Sequence, residues 1–214
     1  MQLFLDTADL HKIRTAWSWG ILDGVTTNPT HVLATGRKPE ELYREIFDIV
    51  DGPVSLQTVS QTLLDLLKEG RALSKIHKNA VIKVPITKEG LRAVKTFAAE
   101  GIRTNVTVTF SPLQALLAAK AGATYISPFA GRLDAVGQIG MDLVRQIKQI
   151  YSNYRFETKV LTAAVRHPIH VLEAALAGSD VCTMSFEVME QLYHHPMTDS
   201  VIQQFLEDWS KIPK

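Results

Sequence analysis

Eight short runs rich in apolar and β-branched residues alternate with longer amphipathic stretches along the chain. This alternation restricts the possible folds more than any other feature. The runs lie near Gln2–Asp6, Gly24–Thr26, Val54–Gln57, Ala80–Lys83, Asn105–Thr109, Thr124–Ser127, Lys159–Thr162 and Asp180–Thr183. Each has the length and composition of a strand buried on both faces. Strands that alternate with helices predict an α/β architecture, and eight of them predict a single-domain (β/α)8 TIM barrel with a helical coat. A doubly wound open sheet is the alternative, but eight strands without a long linker favour closure. At 214 residues the chain allots about 27 to each unit. That is lean beside the ~250 typical of the fold, and it leaves one domain over 1–214.

The helices carry legible start and stop signals. Thr7 or Asp9 can cap a helix running toward Trp19, with Gly20 as its stop, and Thr87 caps another that ends near Glu100-Gly101. Ser111-Pro112 opens a helix closed by Ala121-Gly122, and His167-Pro168 opens one closed by Ala177-Gly178. Proline suits the first helical position, where a missing N–H leaves no bond unmade. An extra C-terminal helix is expected from Asp199 to about Trp209. It exposes Phe205, Leu206 and Trp209, so it must pack on the barrel or on a neighbouring subunit.

Twenty-three Lys plus Arg against 22 Asp plus Glu give a formal charge of +1. This balance offers no footprint for nucleic acid or an anionic membrane, so basic residues that matter must act locally. No stretch approaches the ~18 apolar residues of a membrane span. The opening Met-Gln-Leu-Phe-Leu-Asp has no basic leader, so a cytoplasmic location is expected. The one cysteine, Cys182, rules out an internal disulfide and reads as a buried strand thiol.

In a (β/α)8 barrel the chemistry sits where the strands end. The polar residues expected at that rim are Asp6, Thr26 with Thr27 and Asn28, Gln57, Lys83, Thr107, Ser127, Arg132 and Arg166. Barrel interiors are otherwise filled mostly by branched aliphatic side chains, so this convergence marks a catalytic site. Lys83 stands out as a lone lysine in Val81-Ile-Lys-Val-Pro-Ile86. Burial makes the charged amine expensive and so favours the neutral form, which is the form that attacks a carbonyl. The competing reading is a lysine that reaches outward or forms a buried ion pair. For Asp6 the alternative is a helix cap, for Asn28 a turn former before Pro29, and for the arginines surface ion pairs. Gln57, Thr107 and Ser127 could be satisfied polar core groups.

Phe4-Leu-Asp-Thr-Ala8, Gly24-Val-Thr-Thr-Asn-Pro29, Ile82-Lys-Val-Pro85 and Ser127-Pro-Phe-Ala-Gly-Arg132 resemble the small-subunit transaldolase family, which includes fructose-6-phosphate aldolases. The likeness runs through Phe205-Leu-Glu-Asp-Trp209. It implies a class I aldolase barrel without metal or other cofactor, a Schiff base on Lys83, sugar-phosphate substrates in the pentose phosphate pathway, and a homo-oligomer, often a ring-stacked decamer. It also implies roles for the rim residues. Asp6 exchanges the hydroxyl proton at the carbon–carbon bond, while Asn28 orients substrate hydroxyls. Gln57 and Thr107 hold the catalytic water, Ser127 contacts the dihydroxyacetone end, and Arg132 with Arg166 binds phosphate.

Three positions bear on the substrate. By this resemblance transaldolases usually carry glutamate at the Gln57 position and phenylalanine at the Phe129 position, whereas the aldolases carry glutamine and tyrosine. This chain mixes the two patterns. At Ala164 the family usually has a phosphate-binding serine, so a related anionic sugar is a further alternative. The leading expectation is a transaldolase that moves a dihydroxyacetone unit between sugar phosphates, with a fructose-6-phosphate aldolase as the alternative. A sugar-phosphate binding protein without catalysis would need Lys83 or Asp6 missing. His167, His170, His194 and His195 lack a carboxylate or cysteine at ligand spacing, so no metal site is expected.

Overall fold

A computed structural model describes residues 1–213. Eight strands, β1 (Gln2–Asp6), β2 (Gly24–Thr26), β3 (Val54–Gln57), β4 (Ala80–Pro85), β5 (Thr104–Thr109), β6 (Tyr125–Pro128), β7 (Lys159–Val165) and β8 (Val181–Met184), pair in parallel. The pairing of β8 with β1 closes the barrel in sequence order. The expected (β/α)8 architecture is therefore observed, with strand ends shifted by up to three residues.

The helices are α1 (Leu10–Ser18), α2 (Pro29–Thr35), α3 (Pro39–Ile49), α4 (Leu63–Ser74), α5 (Lys88–Ala99), α6 (Pro112–Ala121), α7 (Ala130–Asp134), α8 (Gly140–Tyr154), α9 (Pro168–Leu176), α10 (Phe186–Gln191) and α11 (Pro196–Ser210). Asp9, not Thr7, caps α1, accepting from the His11 and Lys12 amides. Thr87 caps α5, and Ser111 with Gln114 forms a reciprocal capping box on α6. The last helix starts at Pro196 rather than Asp199, because His195 caps it through Nδ1 and Pro196 takes the first turn. No residue of α11 is buried, so the barrel does not cover Phe205, Leu206 and Trp209. No helix among the described residues is long and apolar enough to cross a membrane.

Two apolar clusters divide the structure. The larger lies between strands and helices, while a small one of Phe4, Val81, Tyr125, Leu161, Ala163 and Val181 fills the barrel interior. Strand side chains alternate faces, so the residue two positions on from each inward side chain also points inward, one step nearer the C-terminal rim. Phe4 is thus followed by Asp6, Val81 by Lys83, Tyr125 by Ser127 and Val181 by Thr183. An apolar plug closes the lower barrel, and a polar layer lies directly on it.

The plug dictates one glycine. A Cβ on Gly24 would stand 2.8 Å from the Phe4 ring and 2.5 Å from the Pro53 carbonyl oxygen, the acceptor of the Val25 amide. Gly24→Ala should therefore destabilise the barrel by about 1–3 kcal/mol, a fall in Tm of roughly 2–12 °C at this chain length. Adding Phe4→Leu should recover only part of the loss in a thermal melt, because the Pro53 carbonyl stays in place.

Candidate active site

The polar layer centres on Lys83. Its side chain lies inside the barrel with 5% exposure, and Nζ donates to the Thr27 carbonyl at 3.1 Å. No carboxylate among the described residues forms an ion pair with it, so the outward and ion-paired alternatives for this lysine do not describe the structure. Burial pulls its pKa below the ordinary lysine value, and the negative charge of Asp6 pulls it partly back.

Asp6 ends β1 and is not a helix cap, that place being filled by Asp9. Its Oδ1 accepts from Thr26 Oγ1 at 2.7 Å, and its Oδ2 stands 3.4 Å from His31 Nε2. Thr26 is itself 2.7 Å from Thr183 Oγ1, which ties β1, β2 and β8 together under the carboxylate. Burial alone would raise the Asp6 pKa. The hydrogen bond with His31, the charges of Lys83 and His31 and the Thr26 hydroxyl outweigh it and hold Asp6 below the usual carboxylate value. Asp6 is therefore ionised near neutrality, beside a lysine biased toward its neutral form.

The other rim residues occupy distinct environments. Thr27 donates its hydroxyl to the Ser55 carbonyl at 2.7 Å, so it serves the layer through the carbonyl that holds Lys83. Asn28 caps α2, its Oδ1 accepting from the His31 amide at 3.0 Å. Gln57 pairs in register with Lys83 and lines a cavity of about 510 Å³ between α2, α3 and α4, which Lys83 and Thr107 do not line. Thr107 Oγ1 is buried without a hydrogen-bond partner. Thr104 and Thr109 share that condition. What distinguishes Thr107 is its strand face, two residues beyond Asn105, which pairs with Lys83. Ser127 donates to Asn105 Oδ1 at 2.7 Å, and Asn105 Nδ2 donates to Ser55 Oγ at 3.1 Å. Asn105, Ser55, Thr183 and His31 belong to the site and were not anticipated. The inward periodicity of each strand was the signal that could have found the first three.

Arg132 lies on α7, and Arg166 follows β7. Both are exposed, and neither forms an ion pair among the described residues. A Cβ on Gly131 would stand 2.8 Å from Arg166 Cγ and 2.2 Å from the Ala164 carbonyl oxygen, so Arg166 packs against the residue next to Arg132. His170 fixes this corner. Its Nδ1 accepts from the Arg166 amide at 3.3 Å, and its Nε2 lies 3.1 Å from Asp134 Oδ2. Asp134 Oδ1 in turn accepts from the Gly140 amide at 2.9 Å. Burial, then the neighbouring His167, lowers the His170 pKa, in keeping with a neutral ring that accepts at one nitrogen and donates at the other. Phe129 precedes α7, packs against the interior plug and meets Phe110 edge-on with centroids 5.8 Å apart. Cys182 is fully buried on β8, its thiol pushed up to about 12 by burial.

Two bulges sit at the rim. Val108 in β5 and Ala164 in β7 have φ of 62° and 58°, each where the register with the next strand shifts. Left-handed backbone is uncommon for alanine and a genuine outlier for a β-branched valine. Such bulges re-aim the residues around them and cluster near active sites.

Comparison with known proteins places this arrangement. The family model described as Transaldolase/Fructose-6-phosphate aldolase matches residues 3–213. A protein of Aquifex aeolicus named probable transaldolase is 56% identical over 214 residues, covering 100% of this chain and 99% of its own. Proteins of the same name from Dictyoglomus turgidum and Geobacter sulfurreducens are 53% and 52% identical, with 100% of both chains covered in each case. A closed eight-stranded barrel with a lysine buried in its polar layer, matched at this identity along its whole length, belongs to the transaldolase/fructose-6-phosphate aldolase family.

Proposed function

We propose that the protein is a cytoplasmic transaldolase that carries a dihydroxyacetone unit from a ketose phosphate, such as fructose 6-phosphate, to an aldose phosphate through a Schiff base on Lys83. The observation that carries this reading is the amine itself: 5% exposed, held by one backbone carbonyl and biased toward the neutral form. A neutral amine adds to the ketose carbonyl and, on loss of water and uptake of one proton from solvent, forms an iminium. Asp6, ionised beside it, takes the proton of the C4 hydroxyl, the C3–C4 bond breaks, and its electron pair enters the iminium as an enamine. The aldose leaves. The enamine then attacks the incoming aldehyde, the proton returns to the new alkoxide, and hydrolysis frees Lys83.

Gln57 and Thr107 hold the water that enters and leaves during imine exchange, and the unpartnered Thr107 hydroxyl supports this role. Asn28, with its oxygen committed to the α2 cap, offers its amide nitrogen to substrate hydroxyls. Thr26 and Thr27 hold Asp6 and Lys83 in place, and Ser127 borders the dihydroxyacetone end. Arg132 and Arg166, without ion pairs among the described residues, bind the phosphate. The uncovered apolar face of α11 supports a homo-oligomer in which a neighbouring subunit covers it.

The alternative is a fructose-6-phosphate aldolase, and Gln57 is the residue that favours it. Phe129 favours transfer. A phenyl ring beside the interior plug cannot order water or pass a proton to the enamine, so the enamine waits for an aldehyde. We judge Phe129 the stronger influence because it adjoins the intermediate.

Four outcomes test these assignments. Borohydride added with a donor ketose should fix a dihydroxyacetone-sized adduct on Lys83, located by peptide mapping, and Lys83→Arg should abolish it. In Asp6→Asn the charge that raises the Lys83 pKa is gone. Adduct formation, which requires the free amine, should therefore persist to lower pH than in the wild type while carbon–carbon cleavage is lost. An unmoved pH midpoint would separate the two residues electrostatically.

Arg132→Ala and Arg166→Ala should each raise KM for phosphorylated sugars by about 10- to 150-fold, and that for free dihydroxyacetone far less. Gly131→Ala should combine this effect with a loss of thermal stability, because its methyl group would crowd the Ala164 carbonyl oxygen as well as displace Arg166. Equal losses on charged and uncharged substrates would remove the arginines from the phosphate site.

Transfer to added erythrose 4-phosphate should exceed release of free dihydroxyacetone in the wild type. Phe129→Tyr should shift the ratio toward release, and Gln57→Glu should raise transfer. Release as fast without an acceptor as with one would establish the aldolase instead.

A further inference from the structure

His170 lies buried on the first turn of α9 and takes no part in the reaction scheme. Its ring stands between the two segments that carry the rim arginines. On one side Nδ1 accepts from the Arg166 amide at 3.3 Å, where β7 gives way to α9. On the other, Nε2 lies 3.1 Å from Oδ2 of Asp134, the last residue of α7 and two positions after Arg132. A backbone N–H can only donate, so Nδ1 carries no proton and Nε2–H is the donor to Asp134. That is the neutral ring, which burial favours.

Asp134 is the carboxylate that matters at this corner. Its Oδ1 accepts from the Gly140 amide at 2.9 Å and so serves the start of α8, where Ile139 supplies no side-chain cap. Its Oδ2 faces His170. Both oxygens are thus occupied, and neither by a lysine or an arginine among the described residues. The other charged or titratable groups that act on His170 are His167, Glu173 and Arg166, and Glu173 pairs with Arg145 of α8.

A guanidinium beside an unheld carboxylate pairs with it, and an arriving phosphate must then break that pair. Arg166 is also tied to α7 by packing, since a Cβ on Gly131 would stand 2.8 Å from its Cγ. Freeing the Arg166 backbone would therefore shift its side chain relative to Arg132.

We propose that His170 and Asp134 are positioning residues for the substrate phosphate. His170 pins the Arg166 backbone through one ring nitrogen. Through the other it holds the Asp134 carboxylate away from Arg132 and Arg166, which leaves both guanidiniums to the anion. Neither residue touches substrate. The role rests on the reading of Arg132 and Arg166 as phosphate ligands, and it adds the device that keeps them unpaired.

The test starts from His170→Phe, which keeps a ring of similar bulk and removes both bonds. KM for fructose 6-phosphate should rise roughly 3- to 30-fold, from one lost hydrogen bond and one new exposed ion pair. Both kcat and KM for free dihydroxyacetone should change little. Adding Asp134→Asn removes the freed charge while its Oδ1 still serves the Gly140 amide. The double variant should recover about 2- to 5-fold of the lost KM, the share of the ion pair. His170→Asn keeps an acceptor for the Arg166 amide but does not reach Asp134, so its loss should be confined to that same share.

Equal losses on fructose 6-phosphate and dihydroxyacetone, or a fall in kcat with KM retained, would overturn the proposal and make His170 a support for the β7–α9 junction. An unchanged KM would do the same, as would a double variant no better than His170→Phe. Should His170→Phe fail to form the borohydride adduct on Lys83, His170→Asn with and without Asp134→Asn decides by the same comparison. Loss of the adduct in both His170 variants would make the residue structural. Arg166→Ala, run in parallel, separates the two levels. If it weakens fructose 6-phosphate selectively and the His170 variants do not, this proposal falls alone; if it shows no selectivity, the phosphate reading falls and this proposal with it.

Discussion

The amine of Lys83 is buried in a barrel whose lower half is already filled, and much of the site follows from that constraint. Phe4, Val81, Tyr125, Leu161, Ala163 and Val181 fill the barrel below it, and the amine's side chain is left only 5% exposed. A lysine so placed either finds a carboxylate or loses its preference for the charged form. Here the direct partner is a neutral carbonyl, that of Thr27, which accepts a hydrogen bond from either form of the amine without forming an ion pair. Asp6 acts on Lys83 through its charge alone, and its own oxygens are taken by Thr26 and faced by His31. The two reactive groups are thus kept from neutralising each other. That separation leaves Asp6 ionised and Lys83 biased toward its neutral form, the condition that the proposed base and nucleophile require.

Holding a polar layer inside a barrel requires partners for its lesser members as well. Asn105 is fully buried, and one amide satisfies both Ser127 and Ser55, bridging β6 to β3 across the interior. Thr183 does the same for Thr26 from the far side of the closure. These bonds are each worth about 1 kcal/mol, but leaving such groups unpaired would cost about 1–3 kcal/mol apiece. Their main effect is therefore to make one arrangement of the layer much better than its competitors. The strained backbone at Val108 and Ala164 belongs to the same economy: conformations that cost of order 1–3 kcal/mol occur at the rim, where a regular strand end would have aimed its neighbours differently.

The strands were legible because a fully buried strand must be apolar over its whole length, and all eight sequence runs overlap the observed ones. Lys83 was legible for the same reason, as a charge in a place where only apolar residues are inexpensive. What escaped is what depends on contacts between units. Asn105 looks like any polar residue at a strand start, and only the inward register with Lys83 and Tyr125 gives it a role. His31 reads as one helical residue among several until the β1–β2 pairing brings Asp6 beside its ring. The start of α11 was misplaced because Asp199 is the better cap by composition, whereas His195 caps and Pro196 opens the helix. The bulges had no glycine to announce them. Valine and alanine hold positive φ there only because the surrounding barrel enforces it.

Two kinds of basic residue work at two depths, and side-chain chemistry decides which goes where. A lysine can be taken into an apolar interior because it can release its proton, and release is what makes it a nucleophile. A guanidinium keeps its charge, so burying Arg132 or Arg166 beside the plug would leave an uncompensated ion in a medium that cannot solvate it. The structure instead places both on the helical rim, exposed and without carboxylate partners among the described residues, with Gly131 giving Arg166 room to lie against α7. Their charge remains solvated. The carboxylate nearest this corner, Asp134, is drawn away by His170 and the Gly140 amide. Were Asp134 free to pair with either arginine, the proposed anion site would compete with an internal salt bridge. His170 and the Gly140 amide thus keep one negative charge at this corner occupied.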